Sequence, residues 1–170
     1  MADISDYLRW RGDINKNLKS ICSFYASEWH LVTMLLPNLD QKINKGVKVT
    51  TILEKDLTKE METLLTKLHL EDKKEIINIG WQKSNLEDIK QAVQNNDCII
   101  INGTKEFIEK AREEIENNLL ENKIIEIIDC YDIEDCKYGI KDILDKHDKI
   151  LNTSGEKNKE EYITTTKVAN

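Results

Sequence analysis

The feature that most limits what this chain can fold into is an alternation between residues 18 and 56: a β-branched and aromatic run, a long amphipathic run, and a second β-branched run. In Leu18–Tyr25, Ile21, Phe24 and Tyr25 have high strand propensity and Cys22 is a residue type commonly found buried. Ser27 then stands where a helix N-cap belongs, ahead of Val32, Leu35, Leu36, Leu39 and Ile43 at helical spacing. Pro37 falls inside this helix, removes a backbone donor and obstructs the carbonyl of Thr33, which predicts a kink or restart. Gly46, after Lys42 and Lys45, predicts the helix stop, and Val47–Leu53 reads as the next strand.

The alternation continues. Asp56 is placed to cap a helix carrying Leu57, Met61, Leu64, Leu65 and Leu68, and Glu75–Ile79 reads as a third strand. Ser84 and Glu87 have the spacing of a capping box, ahead of Leu86, Ile89 and Val93. Cys98–Ile101 is a continuous apolar run, as expected of a strand covered on both faces. Asn102-Gly103-Thr104 turns into a helix with Ile108, Ala111, Ile115 and Leu119 on one side. Ile124–Ile128 is a fifth strand ending in Asp129–Asp132, and a last helix is expected to carry Ile140, Ile143, Leu144, His147 and Leu151.

Five strands separated by long helical crossovers predict a three-layer α/β fold, with a mainly parallel five-stranded sheet and helices on both faces. The 170 residues suffice for one core, with residues 1–17 as an N-terminal helical segment, 18–151 as a single α/β domain and 152–170 as a disordered tail.

A net charge of -7 opposes broad attraction to nucleic acid or anionic membranes, and no apolar run reaches the roughly 18 residues that span a bilayer. With no apolar signal core at the N-terminus, the chain reads as cytoplasmic, and its abundant Ile, Lys, Asn and Glu suit an AT-rich bacterial genome. Cys22, Cys98, Cys130 and Cys136 are then expected as thiols. Cys130 and Cys136, separated by five residues, lack the close spacing of a zinc pair, and His30, His69 and His147 are scattered, so no metal site is expected. Arg11-Gly12-Asp13 and Arg9-Trp10-Arg11 are short matches of the kind chance supplies.

Two resemblances add to this. Asp6–Ile14, DYLRWRGDI, resembles the opening of a bacterial family of lipase-like α/β-hydrolases, but the G-x-S-x-G nucleophile elbow is absent from the chain, so hydrolase activity is not carried over. Ile21–Tyr25, Leu35-Leu36-Pro37, Gly46 with its following strand, and Asp129–Asp132 together resemble the MEDS domain. That is a sensory domain related to RecA-like and KaiC-like ATPases that generally lacks a working phosphate loop. The likeness runs from Leu18 to Leu151, and departs at Ser20, where the family usually has histidine. It implies a RecA-like sheet without Walker A and a regulatory role beside a kinase or transcription regulator.

Nucleotide hydrolysis on such a sheet requires G-x-x-x-x-G-K-[ST] after the first strand. Ala26–His30 has none of it, so no nucleotide cofactor is expected. Ligands of open α/β sheets bind beyond the carboxyl ends of the strands. The candidate ligand-binding residues are therefore Tyr25, Ser27, Glu28, Trp29, His30, Glu54, Asp56, Asn102, Thr104, Asp129, Tyr131 and Asp132. Trp81 and Lys83 belong to the same set if Glu75–Ile79 is a strand. Against this stands the simpler expectation that Ser27, Asp56, Ser84 and Thr104 only cap helices. The expected function is a non-catalytic sensory or regulatory module binding a small effector or protein partner. The alternatives are a small metal-dependent enzyme using Glu54, Asp56, Asp129 and Asp132, or a self-associating scaffold, with a homo-oligomer as its assembly.

Overall fold

A computed structural model describes residues 17–69, 73–84 and 88–160. The N-terminal helical segment (Asn17 apart), both short motifs and the hydrolase-like segment lie outside these residues, as do Leu86 and Glu87 of the capping box and residues 161–170.

Strands β1 (Leu18–Tyr25), β2 (Val49–Leu53), β3 (Cys98–Gly103), β4 (Ile125–Asp132), β5 (Lys149–Asn152) and β6 (Gly155–Asn158) form one six-stranded sheet. Their order is β2-β3-β4-β1-β5-β6, parallel except for the antiparallel β5-β6 hairpin. The helices are α1 (Glu28–Asn44), α2 (Thr58–Leu68), α3 (Lys73–Asn78), α4 (Ile89–Asn95), α5 (Lys105–Glu116), α6 (Ile133–Cys136) and α7 (Ile140–Asp145).

Strand alternation sorts the core into two layers. Ile21, Tyr25, Cys98, Ile100, Ile128 and Cys130 meet α1, α2 and α3 on one face, where Leu31, Leu35, Leu39, Met61 and Leu65 are buried. Cys22, Ile99, Ile101, Ile127 and Tyr131 meet α4, α5, α6 and α7 on the other, through Val93, Ile108, Ile115, Cys136 and Leu144. Every residue of β3 is buried, which accounts for its unbroken apolar run. The three-layer α/β architecture is thus as expected, with six strands in place of five.

The differences have local causes. Glu75–Ile79, expected as a strand, lies mostly in helix α3, with Ile76 fully buried and its carbonyl accepting from Trp81 Nε1 at 2.8 Å. A short apolar run fits a buried helical turn as well as a strand. The expected last helix stops at Asp145, because the next residues are captured by β1: Asp148 N donates to Ser20 O at 2.8 Å and Ser20 N to Asp148 Oδ2 at 2.9 Å. His147 therefore follows a helix, and Leu151 is in a strand. Residues 155–158, expected in a tail, pair with β5, and Glu156 is held by Asn38 Nδ2 at 2.6 Å and Lys42 Nζ at 3.5 Å. Ser84 Oγ donates to Thr51 O at 3.4 Å, and the next described α-helix runs from Ile89. Helix α1 runs unbroken through Pro37, which sits on its exposed side. Gly46 (φ +77°) supplies the left-handed backbone just past the end of that helix.

Candidate functional site

Two polar regions compete for the role of site. The first is the rim at the carboxyl ends of the strands, where β1 leads away over one face and β4 over the other, the kind of switch point where such sheets bind ligands. Ser27 Oγ accepts from His30 N at 3.1 Å, and His30 Nδ1 accepts from Ala26 N at 3.0 Å, so the loop after β1 satisfies its own amides. Thr104 Oγ1 accepts from Phe107 N at 3.2 Å, Asp56 Oδ1 from Thr58 N at 2.8 Å and Asp132 Oδ1 from Glu134 N at 3.0 Å. The Thr58 amide holds the Asp56 carboxyl below the usual carboxylate range. Glu54 Oε1 accepts from Thr104 N at 2.8 Å; a Cβ on Gly103 would lie 2.8 Å from Glu54 Cβ, so only glycine admits this approach. Asn102 Nδ2 donates to Tyr25 Oη at 2.7 Å, both residues buried, and burial pushes the Tyr25 phenol up. Lys55 Nζ stands 3.7 Å from both Glu28 and Asp132, and the Trp29 ring is half exposed.

The second region lies deeper. β4 runs on to Asp132, so Asp129, expected at a strand end, is inside the sheet opposite Cys22 and Ile101. It points to the α5–α7 face and is 0% exposed. Its Oδ2 accepts from Arg112 Nη1 at 2.5 Å and meets His147 Nε2 at 2.6 Å. Arg112 Nη2 also donates to Ser20 Oγ at 2.9 Å, and His147 Nδ1 lies 2.6 Å from Ile143 O. Both nitrogens of His147 thus face oxygen atoms. Burial alone would pull the Arg112 pKa down; the charge and hydrogen bond of Asp129, with Tyr131 and Glu116, together outweigh it and the pKa is raised. A carboxylate this deep is tolerable because it is paired, although Asp129 Oδ1 has no partner among the described residues.

Above this cluster is a cleft of about 520 Å³ between α5 and α7. Arg112, His147 and Tyr131 form its floor, Lys105, Glu109, Glu113 and Glu116 one wall, and Asp142, Asp145 and Lys146 the other. Tyr131 stacks on Phe24 and receives the His147 ring edge-on, with centroids 5.9 and 6.1 Å away.

Of the sequence-predicted residues, the structure places Tyr131 in the cleft and Asp129 beneath it, and the other ten on the rim. Arg112, His147 and the wall carboxylates escaped the sequence-based selection. The signal that could have found them is ionisable side chains on apolar stripes: Arg112 lies beside Ala111 and four residues after Ile108, and His147 four after Ile143.

Thiol chemistry is disfavoured throughout. Burial, reinforced by Asp129, pushes Cys22 up to about 12, and burial with nearby Asp135 and Asp132 pushes Cys136 up to about 11. All four cysteines are free and buried. Among the described residues no three His, Cys, Asp or Glu side chains converge as a metal site, and no helix is long and apolar enough to cross a membrane. Glu54, Asp56, Asp129 and Asp132 do not converge: each is engaged by a different partner. No protein-family model matches the chain, and no curated protein is significantly similar to it.

Proposed function

We propose that this protein is a non-catalytic regulatory module that takes a small polar effector in the cleft between α5 and α7. The observation that carries this is the placement of the buried Arg112–Asp129–His147 cluster on the cleft floor. The cleft volume suits a small ligand, and its floor is polar where the surrounding strands are apolar. Through Arg112 and Ser20 the same cluster reaches β1, and Asp148, next to His147, bonds the backbone of β1. A ligand that shifts Arg112 or His147 therefore acts directly on the two central strands, β4 and β1.

The sheet is read as RecA-like without a phosphate loop. The likeness of Ile21–Tyr25 and Asp129–Asp132 to the MEDS sensory domain supports the regulatory part of this reading. So does the loop after β1, whose Ala26 amide is taken by His30 in place of a phosphate. The test is a thermal-shift screen of metabolites against the full chain and Glu109→Trp, which fills the cleft from an exposed helix position. A ligand that stabilises the wild type and not Glu109→Trp supports the proposal. Ligands whose effect survives Glu109→Trp and disappears in Glu28→Ala or Asp132→Ala move the site to the rim.

A further inference from the structure

Resting on that effector cleft, we infer that its ligand is a small organic amine bearing one or two ammonium groups. The walls oppose carboxylates across the opening: Glu109, Glu113 and Glu116 on α5 face Asp142 and Asp145 on the α7 side. Lys105 and Lys146 offset part of this charge, and Arg112, committed to Asp129 through Nη1, also stands 4.0 Å from Glu116 through Nη2, which leaves Glu109, Glu113, Asp142 and Asp145. The mouth is therefore net acidic, and it concentrates cations while repelling anions.

Acidic walls alone would be only a solvated surface. The independent observation is Tyr131, which is 4% exposed and lines the cleft. Its ring is fixed by Phe24 and His147, whereas its hydroxyl forms no hydrogen bond among the described residues and is not fully enclosed. An unpaired hydroxyl on a residue that lines the cleft has acceptor capacity left for a ligand there, and burial and Asp129 push its ionisation up so that it stays a neutral phenol. A phenol oxygen accepts from an N–H donor, and carboxylates to either side complete a shell of acceptors. A bare metal ion is a poorer fit, because no three of these carboxylates converge. An ammonium or amidinium group, with several donors spread over space, needs no such convergence.

The experiment is isothermal titration calorimetry of the full chain with 1,4-diaminobutane and, as a dianion of matched length, succinate. The expected result is binding of the diamine alone, weakened by 0.5 M salt. Glu113→Gln and Asp145→Asn, one on each wall and both at exposed positions, should each weaken it about fivefold, as should Tyr131→Phe. Unchanged thermal melting of the two wall variants would confirm that they fold. Succinate binding with the diamine silent overturns the amine assignment and leaves the effector cleft standing. Diamine binding unaffected by all three substitutions overturns it by putting the amine elsewhere on the acidic surface. Silence with both probes also overturns it; the effector reading itself falls only if the wider screen yields no ligand sensitive to Glu109→Trp.

Discussion

Asp129 and Asp132 stand three residues apart on one strand and lead opposite lives. Asp132, on the rim, accepts from the amide of Glu134 two residues on, and its other oxygen faces a half-exposed lysine. Asp129 is bound by Arg112, 17 residues earlier, and His147, 18 residues later, in full burial. Much of the rim is built from such short-range closures, Ser27 with His30, Asp56 with Thr58 and Thr104 with Phe107, which start helices, although Glu54 with Thr104 and Asn102 with Tyr25 join separate segments. The cleft floor is built from contacts that exist only once the sheet has formed. Polar residues at strand ends are thus largely accounted for by capping, whereas a polar residue at a position that periodicity assigns to the core needs another explanation.

The largest effect that tests this contrast is expected from Asp129→Ala. It leaves Arg112 buried without its counter-charge and His147 without its hydrogen-bond partner, and should cost about 3–5 kcal/mol by urea denaturation, against about 1 kcal/mol for Asp132→Ala. Equal losses would erase the distinction between the two regions. Replacing the cluster together, Arg112→Met with Asp129→Leu and His147→Phe, should recover most of that stability, since no charge is then left unpaired. Next in size are the thiols: the folded-state pKa of Cys22, about 12, lies above its ordinary value of 9.0. Its contribution is complete below pH 9, and as pH rises towards 12 stability should fall by about 1.4 kcal/mol per unit, with Cys136 adding to the loss over a shorter span. Flat stability across that alkaline window would contradict the burial assigned to Cys22. The caps come after these, with Ser27→Ala and Thr104→Ala each expected to cost about 1 kcal/mol. Smallest is Glu28→Gln, which loses an exposed pair with Lys55 and should stay within about 0.5 kcal/mol.

Much of the fold was legible because strands and helices here keep their own periodicities. β1, α1, β3 and α5 lie close to where apolar spacing puts them, and Ser27 and Thr104 cap as their residue types predict. Legibility failed where tertiary pairing decides. Nothing in Lys149–Asn152 distinguishes a strand from the end of a helix until Asp148 meets Ser20 across 128 residues. Likewise, residues 155–158 form a strand only with β5 and Lys42 to receive them. The cleft was hidden for the same reason. Arg112, Asp129 and His147 belong to three separate segments, and each alone looks like a lapse in an apolar pattern.

The most direct test of the central claim, that ligands enter above the Asp129 cluster and not at the strand ends, is amide chemical-shift mapping of the full chain titrated with 1,4-diaminobutane and with succinate. The account predicts diamine-dependent shifts in residues 105–116, 129–131 and 140–147, with Ala26–His30 and Glu54–Asp56 unmoved. Shifts confined to the rim with either probe, or none in the cleft with both, would contradict it.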